Sequence, residues 1–225
     1  DVEISSGIIN IACTGNGATY TNSLGQTDAY VATCITADGN ISLNGGTITV
    51  SASGSGGKGI SSDGNLGIGT ETLSPVLKVT TTGSRIYISG SGNNSQYAES
   101  KSIKSDGAVT IANGDITISS ADDGIKSETS ITTGTATLKV TNSIEGLEAP
   151  FITVESGSVS LVSSDDCFNA TFGNGGENDD GSLLSLLGGD VVVNTSGGDG
   201  LDSNGDILVT GGTIIVHGPP SQPEV

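Results

Sequence analysis

The 225-residue chain is strongly acidic and rich in glycine. It carries 25 Asp and Glu against 7 Lys and Arg, a formal net charge of −18, with 36 glycines and no Trp or Met. This balance argues against nucleic acid or an anionic membrane surface as partners, because both require basic patches. No run of 18 apolar residues occurs, so we expect no membrane insertion.

A short phrase recurs along the chain: glycine, any residue, a β-branched residue, any residue, an apolar residue. Each copy predicts a short strand opened by a turn glycine. Clear copies lie at 46–50, 114–118, 157–161, 189–193 and 212–216, and weaker ones at 83–88 and 134–138. Most copies are preceded by another short apolar strand. A third element contains an apolar anchor in a polar turn, at Ile60, Ile103, Ile125, Leu147, Phe168 and Leu201.

The spacing of these anchors predicts the fold. Successive anchors are 43, 22, 22, 21 and 33 residues apart. A unit of about 21–22 residues explains them if the first gap holds two units with a degraded middle copy. The last gap then holds one unit plus a loop at 173–182. Three short strands per unit predict an all-β parallel β-helix, in which stacked coils share one core. An antiparallel sandwich is the alternative, but sandwiches do not repeat their sequence at a fixed length.

We predict a single domain over residues 1–219 and a tail at 220–225. Residues 1–37 are assigned to an N-terminal cap and first coil, and a monomer is favoured. Cys13 and Cys34 are 21 residues apart, which would place them side by side in adjacent coils, either as a disulfide or as two buried thiols. Cys167 takes a position held by glycine in neighbouring coils, so we expect a small buried side chain there.

Stacking would align charged residues in columns beside the anchors. Four successive coils would place a carboxylate two positions before the anchor, each roughly 5 Å from the next. Like charges at that spacing repel by about 1 kcal/mol in water and about 3 to 4 kcal/mol at an intermediate dielectric. Hard oxygen ligands without His or Cys favour Ca²⁺ as the neutralising ion. A solvated acidic edge is the alternative. The column reads Lys101, Asp123, Glu145, Asp166 and Asp199, with Asp122 and Asp165 beside it.

Catalytic signatures are weak. The single histidine, His217, lies in the last predicted strand, where a capping or surface role is expected. The best enzymatic alternative is proton abstraction beside a uronate, with Ca²⁺ and Lys104 or Lys126 as the base. Ion pairing of these lysines with neighbouring carboxylates is the competing interpretation. Tyr87 and Tyr97 are candidates for stacking on sugar rings, and Lys126 is a further candidate for sugar contact.

Three phrases carry a family resemblance, at 120–127 (SADDGIKS), 197–205 (GGDGLDSNG) and 207–219 (ILVTGGTIIVHGP). They resemble the secreted carbohydrate-binding domain-containing β-helix proteins found notably in cellulolytic clostridia, over most of residues 38–219. The resemblance implies a right-handed, pectate-lyase-like β-helix that binds calcium, cellulose and acidic sugars such as polygalacturonate. Cys167–Phe168 departs from the Gly-Ile of the family phrase. Positions that match the family phrases are Asp122, Asp123, Asp199, Asp202 and Asn204.

We therefore expect a non-catalytic extracellular polysaccharide-binding protein. Its partner would be a plant cell-wall polysaccharide, and its location secreted or at the cell surface after removal of a signal peptide. A chain of net charge −18 should repel a polyuronate, so the expected mechanism is a calcium bridge to the sugar carboxylate. The alternatives are a calcium-dependent pectate lyase and a structural surface solenoid or adhesin.

Overall fold

The computed structural model describes residues 1–173 and 178–219. Over these residues the chain forms 27 short strands, with one 3-10 turn at Gly92–Asn94 as the only helical element. The tail predicted at 220–225 and part of the predicted loop, residues 174–177, lie outside the described residues.

The strands follow one another in eight successive coils. The first four coils contain β1 (Val2–Ile4), β2 (Ile8–Cys13), β3 (Ala18–Thr21), β4 (Thr27–Tyr30) and β5 (Thr33–Ala37); β6 (Ile41–Leu43), β7 (Thr47–Ala52) and β8 (Lys58–Ser62); β9 (Leu66–Ile68), β10 (Val76–Thr81), β11 (Ile86–Ser89), β12 (Gln96–Ala98) and β13 (Ile103–Ser105); β14 (Val109–Ile111), β15 (Asp115–Ser119) and β16 (Ile125–Ser127). The last four contain β17 (Ser130–Thr133), β18 (Thr137–Val140) and β19 (Leu147–Ala149); β20 (Phe151–Val154), β21 (Ser158–Ser163) and β22 (Phe168–Ala170); β23 (Leu183–Leu186), β24 (Asp190–Thr195) and β25 (Leu201–Ser203); β26 (Asp206–Val209) and β27 (Thr213–His217).

Each coil adds one strand to each of three parallel sheets, always in the same order, and the described part of the last coil, up to residue 219, adds strands to the first two sheets. Sheet 1 is β1-β6-β9-β14-β17-β20-β23-β26, sheet 2 is β2-β7-β10-β15-β18-β21-β24-β27, and sheet 3 is β5-β8-β13-β16-β19-β22-β25. This is the connectivity of a parallel β-helix, so the predicted all-β fold is confirmed. Within the described ranges, antiparallel pairing is confined to β3–β4 and β11–β12. The right-handed winding and the likeness to pectate lyases remain predictions.

Strand register gives the length of each coil. Val109 pairs with Ile131, a step of 22 residues, and Ile131 pairs with Ile152, a step of 21. These central coils match the predicted unit. The 43-residue gap was interpreted wrongly, because Ile60 pairs directly with Ile103. That gap is one coil carrying an inserted β-hairpin, β11–β12, which we call hairpin 2. The first coil carries a similar insertion, β3–β4, which we call hairpin 1.

The weak repeat copy at 83–88 was also assigned wrongly. Its apolar residues belong to hairpin 2, where Tyr87 pairs with Tyr97, and not to a strand of sheet 2. The alternation of apolar and polar residues has the same period in a hairpin and in a coil strand. The pattern alone therefore does not distinguish an insertion from a degraded coil.

The core is a continuous stack of aliphatic side chains between the three sheets. Along each strand alternate residues point inward, so register places each inward residue on its counterpart in the next coil. The anchor column shows this most clearly, with Ile60, Ile103, Ile125, Leu147 and Phe168 all fully buried. Each such side chain stabilises the fold by about 1.5–3 kcal/mol through burial.

The cysteine arrangement differs from the prediction. Cys13 ends β2 in sheet 2 and Cys34 lies in β5 of sheet 3, so both belong to the first coil and not to adjacent coils. Hairpin 1 lies within the segment that separates them. Both are free thiols, and burial, reinforced by a hydrogen bond with Cys13, raises the pKa of Cys34 to about 12. Cys167 is fully buried, as expected. Within the described ranges, no helix is long and apolar enough to cross a membrane.

Candidate functional site

A cleft of about 530 Å³ lies where sheet 2 turns into sheet 3, across the second to fifth coils. We call it the cation cleft, because five of the chain's seven Lys and Arg residues line it. They are accompanied by Tyr97 of hairpin 2 and by carboxylates from three successive turns. The five cations are Lys58, Arg85, Lys101, Lys104 and Lys126.

The geometry of sheet 3 explains why charged side chains meet here. Its strands are short, and the residue after each buried anchor points outward. In-register pairing places Lys104 beside Lys126, Lys126 beside Glu148 and Glu148 beside Asn169. We call this the outward column; its register follows that of the anchors. Along the axis of the β-helix the charge of this column changes from positive at the two lysines to negative at Glu148, and Asp202 follows Asn169 in the next coil.

The residues two positions before the anchors lie in the turns between sheets 2 and 3. Lys58 holds this position before Ile60, at the start of β8, and Lys101 holds it before Ile103. Lys101 is buried; its Nζ lies 2.8 Å from Glu99 Oε2 and 2.7 Å from Asp122 Oδ2, and it also contacts Asp123. Burial opposes its charge, yet the attraction of Asp123, Asp122 and Glu99 raises the pKa of Lys101 above its usual range. A lysine thus neutralises part of the acidic column, for which Ca²⁺ or a solvated edge was expected.

Three carboxylates converge next to this lysine. Ligand oxygens of Asp123, Glu145 and Glu148 all lie within 4.8 Å of one another, and we call this group the acidic triad. Glu145 Oε2 is buried without a hydrogen-bond partner. Burial, followed by repulsion from Glu148 and Asp123, raises the pKa of Glu145 to about 9. Burial also raises the pKa of Asp123 to about 7, against the opposing effect of Lys101.

The acidic triad has the chemistry of a site for a hard cation. Carboxylate oxygens are the ligands that Ca²⁺ prefers, and an unpartnered buried oxygen is costly without a proton or a cation. Glu148 is the exception in its electrostatics: burial acts to raise its pKa, but the ion pair with Lys126 lowers it overall. Glu148 directly follows the anchor Leu147 and was not among the ligands predicted from the sequence.

The other predicted ligands do not join the triad. Asp122 is engaged by Lys101. Asp166 Oδ1 accepts a hydrogen bond of 2.6 Å from the backbone N–H of Asp199, and burial raises the pKa of Asp166 to about 6. Among the residues that the structure describes, the acidic triad is the one group of three or more such ligands close enough to share an ion.

The predicted acidic column therefore does not form one metal site through four coils. Asp165, Asp166, Asp199 and Asp202 lie further along the axis, where the seventh coil follows the inserted loop. Asn204 lies at the corner between sheets 3 and 1, and its Nδ2 donates to Thr171 Oγ1 at 2.9 Å. Sequence register aligns main-chain positions, but it does not determine where each carboxylate points.

The two lysines considered as bases are ion-paired. Lys104 Nζ contacts Asp106 and lies 3.8 Å from Glu128 Oε1, and Lys126 contacts Glu148. This agrees with the ion-pairing interpretation of both residues.

Two other cations of the cleft have no such partner. Lys58 and Arg85 make no salt bridge within 4 Å to any described carboxylate. Burial, followed by repulsion from Lys104 and Lys101, lowers the pKa of Lys58. The Arg85 guanidinium carbon lies 3.9 Å from the centroid of the Tyr97 ring, a cation–π contact. Sequence reasoning missed both residues, although the chain has only seven Lys and Arg residues and each of them was therefore a candidate for binding an anionic group.

All four tyrosines of the chain lie on the two hairpins: Tyr20 and Tyr30 on hairpin 1, Tyr87 and Tyr97 on hairpin 2. The predicted sugar-stacking pair proves to be one edge-to-face contact, with ring centroids 5.7 Å apart. Only Tyr97 faces the cation cleft.

Comparison with known proteins agrees with a carbohydrate-related role. No curated protein and no solved structure matches the chain. A family model described as "Carbohydrate-binding domain-containing protein" matches residues 1–146, well over half of the sequence. The matched segment contains both hairpins, every cation of the cleft, and Asp123 and Glu145 of the triad. The chain belongs to this family of carbohydrate-binding domain-containing proteins.

Proposed function

We propose that this protein binds acidic polysaccharide in the cation cleft and does not cleave it. The observation that carries the proposal is the pair of cations without carboxylate partners, Lys58 and Arg85, in a chain of net charge −18. A uronate carboxylate is the complementary group, since Arg offers it two parallel N–H donors and Lys a point charge. The Tyr97 ring packs against the Arg85 guanidinium and so helps to hold it at the cleft.

Local charge outweighs net charge in this cleft. We expected direct ion pairing with a polyuronate to be unfavourable for so acidic a protein. Charges more than a Debye length apart, about 8 Å at physiological ionic strength, are largely screened. The cleft lining holds six carboxylates beside its five cations. Lys101, Lys104 and Lys126 are ion-paired, so direct contact with a ligand carboxylate is favourable beside the two remaining cations, Lys58 and Arg85.

Calcium at the acidic triad is the second part of the proposal. The donor set fits this ion, because Asp123, Glu145 and Glu148 supply hard oxygens and Glu145 Oε2 lacks a partner. Bound there, the ion would supply a further positive charge at the edge of the cleft for a sugar carboxylate. Lys101 and Lys126 contact two of the three carboxylates, so they would compete with the ion for Asp123 and Glu148.

Polyuronates of the plant cell wall have the chemistry that this cleft would take, and such polymers are met outside the cell. We therefore also propose a secreted or cell-surface location. A lyase has less support than a binder, because the two lysines considered as bases are ion-paired with Asp106 and Glu148.

Isothermal titration calorimetry with trigalacturonate, in a buffer that contains millimolar calcium, tests the proposal. A double variant, Lys58→Ala with Arg85→Ala, should bind at least about tenfold more weakly, which is the scale of losing one charge-assisted contact. Lys78→Ala with Lys139→Ala is the matched control, because it removes the same charge on sheet 2, away from the cleft. Equal losses in both variants would show that only net charge matters and would contradict the proposal.

EDTA separates the two parts of the proposal. Weaker trigalacturonate binding in EDTA supports the calcium site. Unchanged binding would refute the calcium part of the proposal and leave the lysine and arginine side chains as the binding site. Absorbance of unsaturated uronate, measured on the same samples, should stay flat. An increase that depends on the protein would refute the non-catalytic assignment.

A further inference from the structure

A second concave surface lies between the two hairpins. Hairpin 1 and hairpin 2 both leave the β-helix between sheets 2 and 3, from the first and third coils, and β11 contacts both β3 and β4. Coils two rungs apart are separated by roughly 10 Å, which is the usual spacing of packed β layers. The hairpins therefore pack at their bases while their outer parts enclose a groove.

The glycine of the intervening coil allows this approach. Gly56 has φ +68°, and a Cβ there would lie 2.7 Å from Val31 Cγ1 and 3.0 Å from Ile86 Cδ1. Val31 follows hairpin 1, and Ile86 opens hairpin 2. A side chain at position 56 would push the two insertions apart, so the groove depends on this glycine.

The groove has a volume of about 430 Å³ and is lined entirely by polar residues. We call it the hairpin groove. Among the described lining residues, Asp28 alone is charged, so the groove differs sharply from the cation cleft, where opposite charges are dense. The lining residues are Asn22, Gln26, Thr27, Asp28, Ser89 and Gln96.

Two amide groups of the groove have donors to spare. Gln96 Oε1 accepts a hydrogen bond of 2.8 Å from Ser89 Oγ, and Gln26 Oε1 faces Asn22 Nδ2 at 3.5 Å. These contacts orient both side chains through their carbonyl oxygens. Neither glutamine NH₂ group donates to a described protein atom, which leaves up to four N–H donors on opposite sides of the groove.

Asp28 adds an acceptor to the lining, and two aromatic rings of hairpin 1 lie nearby. Asp28 Oδ2 accepts a hydrogen bond of 3.1 Å from the Tyr20 hydroxyl, and the carboxylate can accept more. The Tyr20 ring lies 6.4 Å from that of Tyr30, and both rings are about half exposed, at 45% and 58%. Exposed aromatic rings beside uncharged amides suit the hydroxyl groups and C–H faces of a neutral sugar.

We propose that the hairpin groove is a second carbohydrate site, specific for a neutral hexose chain, that acts independently of the cation cleft. The inference rests on the proposed carbohydrate-binding function and assigns the neutral part of the ligand to a site of its own. Polar residues with mixed donors and acceptors pair with hydroxyl groups, whereas a uronate would meet Asp28 and find no cation.

Titration with cellohexaose, a neutral glucan, tests the inference, with trigalacturonate titrated in parallel. Gln26→Ala with Gln96→Ala should weaken cellohexaose binding at least about fivefold and leave trigalacturonate binding within twofold of the wild type. Asn10→Ala with Asn194→Ala, on exposed positions of sheet 2, is the control for loss of two amides and should change neither. Lys58→Ala with Arg85→Ala should show the reverse selectivity.

Tyrosine fluorescence gives a second readout, because the chain has no Trp and all its tyrosines are on the hairpins. Cellohexaose should still change the emission when trigalacturonate is saturating. Competition between the two sugars would refute independent sites. Binding of trigalacturonate without any binding of cellohexaose would overturn this inference alone, and failure of both sugars to bind would overturn the proposed function.

Discussion

Replacing Glu145 with glutamine should remove a pH dependence of stability from the calcium-free protein. The pKa of this carboxyl is raised from its ordinary 4.5 to about 9, first by burial and then by Glu148 and Asp123. Between these two values the folded chain holds a proton that the unfolded chain has released. The free energy of unfolding therefore falls as pH rises, by up to about 1.4 kcal/mol per pH unit for one proton.

Glu145 should account for about 2–3 kcal/mol of the stability that the wild type loses between pH 6 and pH 8 in EDTA. Glu145→Gln resembles the protonated acid in shape, so it should match the wild type near pH 6 and be more stable at pH 8. Asp123, with a pKa of about 7, should leave a smaller residual slope in the variant. Calcium should stabilise the wild type at pH 8 and stabilise the variant less.

Urea unfolding at several pH values measures these differences. Glu155→Gln, an exposed carboxylate on a turn after sheet 1, is the matched control and should keep the wild-type slope. Parallel pH profiles for wild type and Glu145→Gln would refute the assignment of a proton to this side chain. They would also weaken the argument that its buried oxygen calls for a cation.

Three further changes test other parts of the structure. Lys126→Gln should free Glu148 and tighten calcium binding several-fold in a calorimetric titration, whereas weaker binding would mean that the lysine does not compete with the ion. Phe168→Ala should lower the free energy of unfolding by about 3–5 kcal/mol. The control, Phe151→Ala at a half-exposed position, should lower it by less than about 1 kcal/mol. Equal losses would contradict the assigned core. Replacing residues 86–98 by a short turn should preserve the β-sheet circular dichroism, because Ile60 pairs directly with Ile103. Trigalacturonate affinity should fall. Loss of the fold would contradict the interpretation of hairpin 2 as an insertion in one coil.

The periodic part of the fold was predictable from sequence, because stacked coils require the same residue types at the same positions. Glycine-opened phrases such as 114–118 and 157–161 lie in sheet 2 as predicted, and the anchors pair in register from Ile103 to Leu201. The hairpins were not predictable in this way. Their strands alternate with the period of a coil strand, so one insertion was interpreted as a degraded coil and the other led to the wrong placement of Cys34.

The candidate site was predictable only in its main-chain positions. Register correctly aligned Lys101, Asp123 and Glu145, but the neutralising role of Lys101 follows from the direction of its side chain. Lys58 opens β8 two residues before the anchor Ile60, so it holds the same register position as Lys101. Arg85 reaches the cleft because it directly precedes hairpin 2. Where a residue's position depends on an insertion, the repeat conveys no information about its neighbours.

Hydrogen–deuterium exchange with and without trigalacturonate, in calcium, tests the central claim most directly. The account predicts slower exchange at the walls of the cation cleft, in segments 97–104, 122–126 and 144–148, with little change on sheet 1. Protection confined to sheet 1, or no protection of these segments at saturating sugar, would contradict the assignment of the cleft as the binding site.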